Sequence, residues 1–153
     1  MSAEKLGLAV GDHLPAVTRS ITQEKIDQFE QVGRLLKSQE PEETTPTNIH
    51  TNANKASEIG LPRPIASGQV SFAYLHELLA RQFGADFRQG GQLSVTFLKP
   101  VYAGDVVTAH GLVTKQEKVE RRTRLLLQVW LENQNGQITA AGEAEVIIPS
   151  PLT

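Results

Sequence analysis

Apolar residues recur along this chain in two rhythms, at steps of three and four before about residue 84 and at steps of two after it. In "SITQEKIDQFEQVGRLL", Ile26, Phe29, Val32 and Leu36 fall on one helical face, and Thr22 stands where an N-cap belongs. Val10–Thr18, which contains "GDHLP", reads as a leading strand or an extended arm. Two prolines and a cluster of acids and threonines make Lys37–Thr47, "KSQEPEETTPT", a loop. Thr51 is placed to cap a short helix that presents Ala53, Ala56 and Ile59 and closes at Gly60. "LPRP" follows as a stiff extended connector, because a residue before proline is pushed out of the helical region. From Gly68 to Phe83 the apolar residues surround most of the cylinder, which predicts a buried helix ended by Gly84.

Beyond that glycine the period becomes two. Leu93, Val95 and Phe97 share one face of a strand that stops at Pro100. After a turn at Tyr102–Asp105, Val107, Ala109, Gly111 and Val113 line a second strand, and Thr123, Leu125, Leu127, Val129 and Leu131 a third. The Asn-Gly of "NQNG" signals a turn into a last strand, on which Ile138, Ala140, Gly142, Ala144, Val146 and Ile148 share a face. A helix that needs cover on most sides, beside four strands in series, predicts an α+β domain with a curved antiparallel sheet wrapped around the helix. A single domain over residues 1–153 is the expectation from length. An open sheet leaves edges to be covered, so a homodimer or higher homo-oligomer is expected.

Composition narrows the function more than the fold. Lys and Arg number 15 against 17 Asp and Glu, a net charge of −2, which offers no footprint for nucleic acid or an anionic membrane. The basic run "KVERRTR", Lys118–Arg124, reads as a solvated tip between two strands. Cysteine is absent, which excludes thiolate chemistry, and the four histidines show no metal-ligand spacing. Glu4, Lys5 and Asp12 interrupt the N-terminus, and no run of 18 apolar residues occurs, so a cytoplasmic location is the default expectation.

Four segments, "VGDHLP", "TNIHTN", "RPIASG" and "FLKPVYAGDVV", occur in the order found in the MaoC-like hot-dog-fold hydratases, and the chain resembles that family over residues 7–148. The resemblance implies (R)-specific hydration of an enoyl-CoA, or dehydration of a 3-hydroxyacyl thioester on CoA or a carrier protein, with no metal or redox cofactor. The family's Asp-x-Asn-Pro-x-His motif aligns with "TPTNIH": His50 matches, while Thr45, Thr47 and Asn48 stand at the aspartate, asparagine and proline positions. A second acid that the family often has two residues after the histidine is Asn52 here, and its His-Gly pair at the helix start is Ser67-Gly68.

Side-chain chemistry supplies roles for these positions. Imidazole, with an ordinary pKa near ~6.5, exchanges protons at neutral pH, so His50 is the candidate base; on its residues alone it also fits a polar loop position. Gly68 opens the buried helix, where unpaired N–H groups and the positive dipole end can hold an oxyanion; close helix–sheet packing is its other use. Thr45 cannot ionise at neutral pH. Glu43 and Glu42 in the same loop are its candidate substitutes, or are merely solvated. His76, about two turns beyond Gly68, either reaches the same pocket or belongs to the core. The expected function is thus a hydro-lyase whose usual aspartate is replaced. A cofactor-free one-base enzyme doing enolate chemistry, such as an isomerase, and a non-catalytic acyl-binding subunit are the alternatives.

Overall fold

The structure, a computed structural model, describes residues 7–36 and 49–150. Nine elements follow in the order β1 (Val17–Ser20), α1 (Gln23–Leu36), α2 (Ala53–Glu58), α3 (Gly68–Phe83), α4 (Ala85–Gly90), β2 (Gln92–Phe97), β3 (Val106–Val119), β4 (Arg122–Asn133) and β5 (Ile138–Pro149). The strands form one antiparallel sheet in the order β1-β3-β4-β5-β2. α3 lies against the sheet and buries Val70, Leu75, Leu78, Leu79 and Phe83 on the inward faces of β3, β4 and β5. This is the α+β arrangement that the two rhythms imply, and the hot-dog fold that the family resemblance implies. No described helix is long and apolar enough to cross a membrane.

Alternation places the sheet residues. Val107, Ala109 and Val113 on β3, and Leu125, Leu127, Val129 and Leu131 on β4, are buried as their period requires. On β5 the period slips: the pairing shifts between Leu131 and Glu132, so Thr139 turns inward and Ile138, expected on the core face, is 44% exposed. A bulge adds one residue and reverses the facing of whatever precedes it. Gly142 lets β2 approach, since a Cβ there would meet the Ser94 carbonyl oxygen at 1.9 Å.

Other expectations need correction at their boundaries. The leading segment becomes a strand only from Val17; before it, backbone bonds at Gly11, Leu14 and Val113 lay the arm along β3, with His13 bridging Leu112. Thr22 caps α1 as expected, its hydroxyl accepting from Lys25 N–H at 3.2 Å. Ile26 is buried there, whereas Val32, expected on the same face, is 57% exposed; the side chains of residues 33–36, Leu36 among them, lie outside the described residues. Asn52, not Thr51, caps α2, its Oδ1 accepting from the N–H groups of Asn54 and Lys55. Only Ala56 of that helix is buried, and Gly60 follows it at φ 85°. α3 also exposes Phe72 and Ala73 on the side away from the sheet. The basic tip is the solvent-exposed β3–β4 hairpin, where Lys115 hydrogen-bonds to Glu117 and holds its carboxyl below the usual range.

Candidate active site

His50 sits in a turn just before α2, fixed from both sides. Its Nδ1 lies 2.7 Å from the carbonyl oxygen of Ile65, and its own carbonyl accepts from Gln23 Nε2 at 2.9 Å. A carbonyl oxygen can only accept, so Nδ1 carries the hydrogen and the neutral ring keeps its lone pair on Nε2. The neighbouring backbone adds a tie, with Ile65 N–H donating to the Ile49 carbonyl at 3.2 Å.

The Ile65 segment is held in turn by the Pro100–Asp105 turn. Ala66 N–H donates to Val101 O at 2.8 Å, Ala103 N–H donates to Pro64 O at 3.0 Å, and Ile65 pairs with Tyr102. Asp105 keeps that turn closed from within. Its carboxylate is 3% exposed and accepts from Tyr102 N–H at 2.8 Å and from Gln134 Nε2 at 2.9 Å. Arg63 lies 3.7 Å from the same carboxylate, with its guanidinium over the Tyr102 ring. Three of the four segments singled out in the sequence are therefore laced together, while "VGDHLP" serves the β3 edge.

Two residues after Ala66, α3 begins. Ser67 is its N-cap, yet the Ser67 side chain makes no capping bond, and its buried Oγ has no partner among the described residues. The ring of Phe97 covers Gly68 so closely that an added Cβ would lie 2.7 Å from Cε2. A groove of about 320 Å³ opens here, walled by Ile65, Ala66, Phe97, Leu98, Pro100 and Val101, with Gly68, Ser71 and Lys99 on its surface. Such a lining, apolar with a few polar points, suits an acyl group attached to a polar head.

The remaining sequence candidates separate. His76 packs its ring on Phe87 of α4, centroids 5.1 Å apart, and is not among the residues lining the groove. Thr45, Thr47, Asn48, Glu42 and Glu43 lie outside the described residues. The sequence gives Ser71 no role, places Phe97 only on a strand face and Lys99 only within "FLKPVYAGDVV". Ser71 sits at i+3 from Gly68 on the buried side of α3, and only the groove beside it marks it out. A smaller cavity between α1 and α3 is lined by Ile21, Ile26, Phe29, Val70 and Tyr74 among others; His50 lines neither this cavity nor the groove, and it meets the groove's wall through its bond to Ile65. Burial there pushes the Tyr74 hydroxyl's pKa above its usual 10, with Glu77 adding to the rise and Arg19 opposing it. Among the described residues, no three His, Asp or Glu side chains group as metal ligands.

The comparisons fit this geometry. The sequence profile of the MaoC like domain matches residues 46–132, more than half of the chain. A search of curated proteins returned no match. Among solved structures, the unliganded R-hydratase PhaJ1 from Pseudomonas aeruginosa is 24% identical, with TM-score 0.71 over 94% of this chain and 84% of that one. The (R)-hydratase from A. caviae involved in PHA biosynthesis is 21% identical, with TM-score 0.71 over 95% and 98%. The truncated HadBC 3R-hydroxyacyl-ACP dehydratase complex from Mycobacterium tuberculosis is 14% identical, with TM-score 0.62 over 90% and 96%. These structural likenesses establish the fold, and the profile match establishes the family: the chain belongs to the MaoC-like dehydratases.

Proposed function

We propose that the protein is a hydratase or dehydratase of an acyl thioester, an enoyl-CoA or 3-hydroxyacyl-CoA or its carrier-protein equivalent, working without metal or redox cofactor. The observation that carries this reading is the fixed His50 ring, tied through Ile65 to the segment that leads directly into Gly68. In hydration, His50 Nε2 takes a proton from water as the water oxygen bonds to C3. The C2=C3 electrons move onto the thioester oxygen, and the resulting enolate rests against the Gly68 N–H. Delivery of a proton to C2 completes the addition. Dehydration is the same path reversed.

The second proton carrier is the open position in the family pattern. Thr45 stands where the family has its aspartate and has no proton to trade at neutral pH. Glu43 or Glu42, close to Thr45 in sequence, takes that part in our reading, with Thr47 and Asn48 as supporting positions of the motif. The second reading, supported by Thr45 itself, is one-base enolate chemistry in which His50 alone carries the proton between carbons. Rapid hydration of a short 2-enoyl-CoA by the wild type favours the first reading. Proton exchange or double-bond migration without hydration favours the second.

The whole chain acts as one domain in this account, and it works as a homodimer or larger homo-oligomer. β2 is an edge strand of the sheet, and its last residue, Phe97, and the following Leu98 are 52% and 55% exposed. Pairing or packing between two copies would cover them.

A further inference from the structure

The hydroxyl of Ser71 has no part in the chemistry described so far. Ser71 is 6% exposed, on the buried side of α3, and it lines the groove beside Gly68. Among the described residues it makes no hydrogen bond, although a helical serine can bond back to its own preceding turn. The Ser71 residue is largely buried but its Oγ is not fully enclosed, and the groove that Ser71 lines is where that hydroxyl can meet something that enters. Ser67, one turn back on the same side, holds a buried Oγ that has no partner among the described residues.

Spacing suggests what each group meets. Residue 71 lies three residues beyond Gly68, roughly 4.5 Å along the helix axis. A 3-hydroxyacyl thioester carries one oxygen on C1 and another on C3, separated by a single methylene. With the C1 oxygen on the Gly68 N–H, the C3 oxygen lies one step further along the groove. We propose that Ser71 is a positioning residue that hydrogen-bonds the C3 oxygen of the substrate: the hydroxyl in one direction of the reaction, the attacking water in the other. This rests on the thioester reading above and adds a residue to it. The acyl chain is thereby set in register, with C2 facing His50.

The test is binding of two thioesters that differ only at C3, 3-hydroxybutanoyl-CoA and butanoyl-CoA, to the wild type, Ser71→Ala and Ser71→Thr, measured by calorimetry. A neutral hydrogen bond of the usual strength gives the wild type a preference for the hydroxylated ligand of roughly five- to tenfold. Ser71→Ala is expected to erase that preference while holding butanoyl-CoA as before, and Ser71→Thr to restore it. Ser71→Ala weakening both ligands equally, or keeping the preference intact, overturns the assignment and leaves the thioester site standing. A wild type that binds neither ligand overturns the thioester reading itself, and the assignment of Ser71 with it.

Discussion

His50 Nδ1 and the Ile65 carbonyl oxygen stand 2.7 Å apart, and this contact makes Nε2 the basic nitrogen of the ring. It also couples the base to the Gly68 end of α3, because Ile65 is three residues before the glycine. Replacing His50 by Gln keeps a side chain able to hydrogen-bond to Ile65 but removes the imidazole base. Turnover is expected to fall by ~10²–10⁴, the usual worth of general acid–base catalysis, with the melting temperature little changed. A matched loss of stability and activity would instead make His50 a structural residue.

Gly68→Ala places a methyl where the Phe97 ring now lies. Overpacking of that kind costs about 1–3 kcal/mol, and the new Cβ also narrows the approach to the first-turn N–H groups. Pairing it with Phe97→Leu should recover most of the lost stability, since the two changes share one contact and will not add. Thermal unfolding of the two singles and the double gives the coupling directly.

Asp105→Asn tests the tie between the turn and the base. The amide can accept one of the two hydrogen bonds that the carboxylate now accepts, and it turns a donor towards the other. The expected cost is about 1–3 kcal/mol, read as a lower unfolding midpoint. Because Val101 and Tyr102 hold Ala66 and Ile65, kcat should fall more than KM rises.

Glu43→Gln and Glu42→Gln address the missing aspartate. If one of them supplies the second proton, its loss lowers hydration by at least ~10², while the other change is nearly silent. Both silent in an enzyme that still hydrates quickly would remove the glutamates from the mechanism. In a one-base enzyme, Thr45→Asp is the change that raises hydration.

Much of this was legible because burial follows period. The boundaries of α3 could be read as Gly68 and Phe83, since apolar residues between two glycines leave a helix little choice. Val107–Val113 and Leu125–Leu131 face inward as their alternation requires. Ile138 could not be read correctly, because the shift beside Leu131 inserts a residue that no periodicity reveals. Thr51 and Asn52 are adjacent capping residues, and only backbone geometry decides between them. At the site, His50 and Gly68 stood out by resemblance, but their coupling through Ile65 is a product of the chain's return past Pro64. Ser71 escaped notice because a serine among core positions carries no pattern of its own until a groove is seen beside it.

Sedimentation at micromolar concentration should show a dimer or a larger closed assembly, given the β2 edge and the apolar residues beside it. A stable monomer would mean that the edge is protected by some other part of the chain.

The most direct test is hydration of a short 2-enoyl-CoA in D₂O by the wild type and by His50→Ala, with the product analysed by mass spectrometry and NMR. The wild type is expected to add a hydroxyl at C3 and one deuterium at C2, and His50→Ala, folded and still binding the thioester, to do so ~10²–10⁴ times more slowly. Hydration at the wild-type rate by His50→Ala would contradict the role of His50 as the base.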